Sequence, residues 1–303
     1  MNRVDVPLRL GVSGSCFAYL MPREVAEALY QTSQLGVPRF LDDSGNRLMV
    51  EFMRDMMAAI AASGISDFEC YHSPIWDRDA VAAVIESHLD VRVWSVHAPY
   101  GKCHDPSSPI DQYRAAAFEA YVDAIDLAER LNARVVVAHP GANVGYETPK
   151  SRRLEFAADT LAGVVDYAAE RGIRIAIEPL PKQEPGNSLD EVLWLIDRLH
   201  RPNVGINFDV NHLFPAQAVP ELIRRAGNLV LNVHISDQDG VERHWLPFDG
   251  ALDWREVIAA LRDVGYCGPL IYETHIKGAR DCAHIAENIQ QNYKRLISVS
   301  SSS

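Results

Sequence analysis

The stretch IRIAIEPLP, residues 173–181, decides how the chain is read. Ile173, Ile175, Ala176 and Ile177 form a short apolar run of the kind that makes a buried strand. Glu178 follows at once, and Pro179 and Pro181 end any further ladder pairing behind it. A carboxylate at the last ordered position of an apolar strand is costly to strip of water unless something compensates. The remainder of the chain repeats this arrangement.

Strand-like apolar runs recur at 8–14, 67–72, 91–98, 133–140, 173–179, 204–210, 229–236 and 269–274. Their near-continuous Val/Ile/Leu character is what parallel strands covered on the outside by helices require. Helical periodicity fills the intervals at 110–131, 152–170, 188–201, 219–226 and 253–264, with a last helix at 279–297. Gly172 and Gly265 stand where helix ends want a left-handed residue. Eight strands alternating with helices predict an α/β chain folded as a (β/α)8 TIM barrel. An open doubly wound sheet is disfavoured, because no G-x-G-x-x-G follows the first strand. The first unit is irregular: helix patterns at 22–35 and 48–63 flank GVPRFLDDSGNR, residues 36–47, read as a loop over the barrel mouth. No linker or composition break divides the chain, which predicts one domain over 1–297 and a disordered Ser-rich tail over 298–303.

Composition bounds the function. The chain has 303 residues, 48% hydrophobic and 23% charged, with a formal net charge of −12. A phosphate polyanion is repelled on average and no Lys/Arg run offers a patch, so nucleic acid is not an expected partner. The five cysteines are odd in number and lack C-x-x-C spacing, which reads as free thiols in a reducing, cytoplasmic setting. The first ten residues lack a signal-peptide pattern. The longest apolar block, near residues 56–62, falls far short of the ~20 residues of a membrane span, so no membrane association is expected.

The strand ends carry the chemistry. WSVHAPYG ends in His97, VVVAHPGA in His139, IAIEPLP in Glu178, LNVHISD in His234 and LIYETH in Glu273; INFDVNHLF supplies Asp209 and His212. The six residues His97, His139, Glu178, Asp209, His234 and Glu273 follow one another at intervals of 42, 39, 31, 25 and 39, about one βα unit each. In a barrel those ends converge on one mouth. A single His after a strand is most simply a structural histidine, and a Glu before Pro a loop charge. Six in phase are different: carboxylates and imidazoles share a pocket only if a cation or shared protons offset their repulsion. Oxygen and nitrogen donors without thiolates suit one divalent ion such as Mn, Co or Mg, with Zn also open. Asn207 and Asn232 lie one layer below on the same strand faces and are expected to orient the ligands.

Further candidates lie nearby. SDQDGVERHWLPFDGALDW, residues 236–254, carries Glu242, Arg243 and His244, or is simply a solvated acidic loop. Glu69, in FECYHSP, is either a substrate contact or half of a structural salt bridge. His88, His104, His200 and His284 are read as surface residues, and His275 as pointing to the face opposite Glu273.

HAPYG, VVVAHPG, IEPLP, FDVNH, VHISDQDG and YETH resemble the motifs of the xylose isomerase-like TIM-barrel superfamily, over residues 8–297. That superfamily contains sugar phosphate isomerases and epimerases, ketose 3-epimerases among them, and endonuclease IV. The resemblance implies a metal held by Glu178, Asp209, His234 and Glu273. It implies chemistry on a keto sugar through a metal-stabilised enediolate, with Glu178 and Glu273 as acid and base. His97, His139, His212 and Arg243 would then bind the sugar. Endonuclease IV implies an alternative with three zinc ions, drawing also on His97, His139, His212, Glu242 and His244. There Glu242 stands where an Asp is usual, and HWLPFDGALDW fits the sugar enzymes. A lyase of the inosose type and a non-catalytic sugar-binding subunit are the remaining readings. A homo-oligomer is compatible with all of them.

Overall fold

The computed structural model describes residues 8–142, 144–181 and 184–300. Eight parallel strands close into one barrel in sequence order. They are β1 Arg9–Ser13, β2 Asp67–Tyr71, β3 Arg92–His97, β4 Val135–Ala138, β5 Arg174–Ile177, β6 Val204–Asp209, β7 Val230–Ile235 and β8 Pro269–Tyr272. Each falls inside one of the eight apolar runs, trimmed by a residue or two at one or both ends.

The helices are α1 Arg23–Tyr30, α2 Asp43–Ser63, α3 Arg78–Glu86, α4 Asp111–Arg130, α5 Lys150–Glu170, α6 Leu189–Leu199, α7 Val219–Ala226, α8 Trp254–Asp263 and α9 Cys282–Ser300. Their starts are set by short acceptor side chains that satisfy the orphan N–H groups of the first turn. Asp42, Asp77, Ser188 and Asp253 each accept such a bond. The apolar stripes of α2 and α9 pack together, as do those of α4 and α5 and of α7 and α8, closing the ring around the barrel.

Four local expectations change. α3 has no counterpart among the helix patterns of the sequence; it is nine residues long and shows only Val81, Ala82, Val84 and Ile85 as its buried stripe. The loop at 36–47 ends early, because the Asp42 cap starts α2 at Asp43. The last helix continues through Ser298 to Ser300, so only 301–303 of the expected tail lie outside the described residues. Among the histidines read as surface residues, His104 is buried, in a short turn at Lys102–His104.

Two irregularities shape the barrel interior. Phe68 pairs with Val93 and Glu69 with Ser95, which leaves Trp94 as an extra residue in β3. Ile206 pairs with Val230 and Asn207 with Asn232, which leaves Leu231 extra in β7. Such bulges bend a strand and re-aim its side chains. The second is bound to a glycine: a Cβ on Gly205 would lie 2.4 Å from the Leu229 carbonyl and 2.5 Å from the Leu231 side chain. Among the described residues no helix is long and apolar enough to cross a membrane.

Candidate metal centre

Glu178 sits directly after β5 and is buried, its N–H held by the Ala138 carbonyl at 3.0 Å. Its two oxygens meet four imidazoles. Oε2 lies 3.2 Å from His139 Nε2 and 3.5 Å from His97 Nε2; Oε1 lies 3.2 Å from His212 Nδ1 and 3.6 Å from His234 Nδ1. Asn207 donates to Oε2 from below at 2.9 Å. Burial pushes the Glu178 carboxyl up, but the His234 and His139 charges and the hydrogen bonds outweigh it and hold it well below the usual range. The carboxylate at the end of IRIAIEPLP is therefore ionised, and the compensation lies in residues from four other strand ends.

Asp209 closes β6. Its Oδ1 accepts the Asn211 N–H at 2.6 Å, and its Oδ2 is buried without a hydrogen bond, 3.4 Å from His212 Nδ1 and 3.8 Å from His234 Nδ1. His234, on β7, turns Nδ1 toward Glu273 Oε2 at 3.0 Å. Ser15, two residues beyond β1, donates to Glu273 Oε1 at 3.0 Å. Burial pushes His212 and His234 down, but the surrounding carboxylates prevail: His212 rises to about 10 and His234 also rises well. His139 goes the other way, lowered by burial.

Donor atoms of Glu178, Asp209, His234 and Glu273 all lie within 4.8 Å of one another. Two flanking groups, His97–His139–Glu178 and Asp209–His212–His244, meet the same limit. Besides Asp209 Oδ2, other buried polar atoms here have no hydrogen bond: Glu69 Oε1, His139 Nδ1, Asn207 Oδ1 and Asn211 Nδ2. Three carboxylates and an imidazole around an orphaned carboxylate oxygen fit a divalent cation with oxygen and nitrogen ligands. The central four would hold it.

The other expected site residues are placed differently. Glu242 lies outside the three groups, 3.6 Å from His244 Nε2 and 3.9 Å from His212 Nε2. Arg243 is exposed; its guanidinium pairs with Asp239 at 2.9 Å and lies over the Trp245 ring. Glu69 is fully buried beneath His234, with Ser95 and Asn232 donating to its Oε2, so it faces the barrel interior and not the opening. His275 packs against His244 and Tyr19.

Three contributors are absent from the sequence-derived candidates. Ser15 could have been found by extending the strand-end rule to β1. Tyr100 packs its ring on His139 at 4.6 Å. Asp237, fully buried, organises the long loop after β7. Its Oδ1 accepts from Gln238 N and Leu252 N, its Oδ2 from Phe248 N and Trp254 Nε1. That loop carries His244 in a left-handed conformation, φ 52°, with Nδ1 against the Glu273 carbonyl.

The family model for xylose isomerase-like TIM barrels matches residues 51–299. Fructoselysine 3-epimerase of Shigella flexneri is 28% identical over 48% of this chain and 54% of its own. D-psicose 3-epimerase of Agrobacterium fabrum is 27% identical over 44% of this chain and 47% of its own. The chain thus spans about half the length of these curated relatives. Among solved structures, a D-tagatose 3-epimerase-like protein superposes with a TM-score of 0.72 at 23% identity, covering 97% of this chain and 98% of its own. That likeness is one of fold. With the barrel closed in sequence order and the family model matched over most of its length, the chain belongs to the xylose isomerase-like TIM-barrel family.

Proposed function

We propose that the chain is a divalent-metal-dependent sugar epimerase or isomerase acting on an unphosphorylated keto sugar, working as a single barrel domain in the cytoplasm. The observation that carries this reading is the pair Glu178 and Glu273. They come from β5 and β8, their carboxylates belong to one four-residue donor group, and both are held ionised at neutral pH. The 3-epimerase relatives support the reaction class, and five free cysteines support the compartment.

Mn, Co, Mg or Zn, when bound by Glu178, Asp209, His234 and Glu273, supplies positive charge where the substrate carbonyl becomes anionic. One glutamate takes the proton from the carbon beside the carbonyl. The C–H electron pair becomes the C=C of an enediol, and the carbonyl oxygen takes the charge. The opposite glutamate takes a proton from water at the barrel mouth and delivers it to the other face, while the first glutamate gives its proton back to water, so the carbon is inverted with no net proton or redox change. Ser15 fixes the Glu273 carboxylate while this happens. His97, His139 and His212 stand around Glu178 to receive sugar hydroxyls.

The test is hydrogen exchange. A ketose panel is incubated in D2O with Mn2+-loaded protein, and deuterium at the carbon beside the carbonyl is followed by NMR. Incorporation with a new epimer supports the proposal. Loss of one water from the product mass would indicate the lyase instead. Ligand binding without exchange in any sugar would leave a binding subunit. A second reading, a three-zinc nuclease, is favoured by the two flanking donor groups. The net charge of −12 and the placement of Glu242 outside those groups weigh against it.

A further inference from the structure

A chain of hydrogen-bonding groups runs from the floor of the barrel to His234, and it lies wholly outside the donor group until it reaches that ring. It begins at Trp94, the extra residue of the β3 bulge. Its indole Nε1 donates to Asn232 Oδ1 at 3.0 Å. Asn232 Nδ2 in turn donates to Glu69 Oε2 at 3.0 Å, and Ser95 Oγ donates to the same oxygen at 2.7 Å. The other oxygen, Oε1, lies 2.9 Å from His234 Nε2, off the line of its N–H, and has no other partner. Glu69, Ser95, Asn232 and His234 are all fully buried.

The donor inventory leaves little freedom. An indole N–H can only donate, so Asn232 must turn its oxygen to Trp94 and its amide NH2 to Glu69. Two donors then occupy Oε2, and Oε1 is left for His234. An ionised carboxylate only accepts, so it selects the ring form that carries its proton on Nε2. With a cation in place of the second ring proton, Nδ1 is the nitrogen that faces Glu178, Asp209 and Glu273, with the Asn207 amide nitrogen 3.1 Å away.

We infer that Glu69 is a positioning residue that sets which nitrogen of His234 meets the cation, and that Trp94 acts through Asn232 to aim it. This rests on the metal reading above. It assigns Glu69 a role other than substrate contact and gives the β3 bulge a purpose: without the extra residue, no indole reaches Asn232 from the floor.

The isosteric variant Glu69→Gln separates this role from mere packing. Ser95 and Asn232 both donate toward the side chain, so the amide introduced there must turn its oxygen to them and its NH2 to His234. That NH2 forces Nε2 to accept and moves the ring proton to Nδ1, where the cation would bind. Isothermal titration of metal-free protein with Mn2+ alone should show affinity lower by about 10- to 100-fold, the usual effect of losing such a partner. The double variant Glu69→Gln, Asn232→Asp places a second acceptor beside the new amide, whose NH2 can turn to it and whose oxygen can then face His234 again. It should recover most of the affinity, which a purely structural loss would not do.

Circular dichroism checks that each variant folds. If Glu69→Gln does not fold, Trp94→Phe carries the test, with an expected loss of about 3- to 10-fold from one hydrogen bond. Folded Glu69→Gln that binds Mn2+ like the wild type overturns this inference alone, as does unchanged affinity in Trp94→Phe for the relay. Absence of Mn2+ binding by the wild type overturns the metal reading itself.

Discussion

Glu178 shows at the scale of one residue why an apolar strand ends in a charge. Four imidazole nitrogens lie within 3.6 Å of its oxygens, so removing the charge unbalances all of them. Glu178→Gln and Glu273→Gln should each lower deuterium incorporation into the ketose by about 10²- to 10⁴-fold, the range for a lost general acid or base, with the fold intact by circular dichroism. Full exchange in either variant would remove the two-glutamate mechanism. His104 makes a separate prediction. Burial, with the charge of His72 beside it, lowers it from 6.5 to about 4. A base whose folded value is depressed contributes fully above the unfolded value near 6.5, and the contribution fades as pH falls toward 4. Over that window the cost is about 3 kcal/mol. In urea unfolding, the wild type should therefore lose its margin over His104→Asn between pH 7 and 4; a constant difference would contradict it. Strand-end ligands were legible because their positions repeat with the βα unit. The burial of His104 was not, because it is set by how a loop packs, and no periodicity in the loop records that.

Among the elements, the loop between β7 and α8 depends on one side chain. Asp237 takes two donors on each oxygen, which ties residues 238, 248, 252 and 254 to the end of β7. Asp237→Asn would set an amide NH2 against two of those donors. We expect a stability loss of about 3 kcal/mol in denaturant unfolding, from unmade buried hydrogen bonds, and faster proteolysis between Gly240 and Gly250. Unchanged protease resistance would mean that the loop is held by something else. All eight strands were readable, because continuous Val/Ile/Leu runs have few alternatives in an α/β chain. α3 was not, because Ala80 to Ile85 are apolar without a break and show no helical period. The bulges at Trp94 and Leu231 were invisible for another reason: each adds one residue without changing composition, and shows only in the register of the neighbouring strand.

Over the whole molecule, closure of the barrel turns eight separate strand ends into one site. Six expected residues meet there, together with His212 and His244, while Arg243 stays at the surface with Asp239. Glu69 faces inward because its strand partner is Ser95, one layer beneath the mouth. A cation that binds only the folded chain stabilises it by mass action, by about 2.7 kcal/mol at 100 times its dissociation constant. Chelation should lower the melting temperature and Mn2+ should restore it; a melting temperature indifferent to both would mean that the donor group holds no ion. The most direct test of the metal centre counts the ions. Elemental analysis of protein purified without chelator should find one divalent ion per chain, lost in Glu178→Gln. Three zinc ions per chain would contradict the single-metal sugar enzyme in favour of the nuclease, and no bound metal would contradict the metal centre altogether.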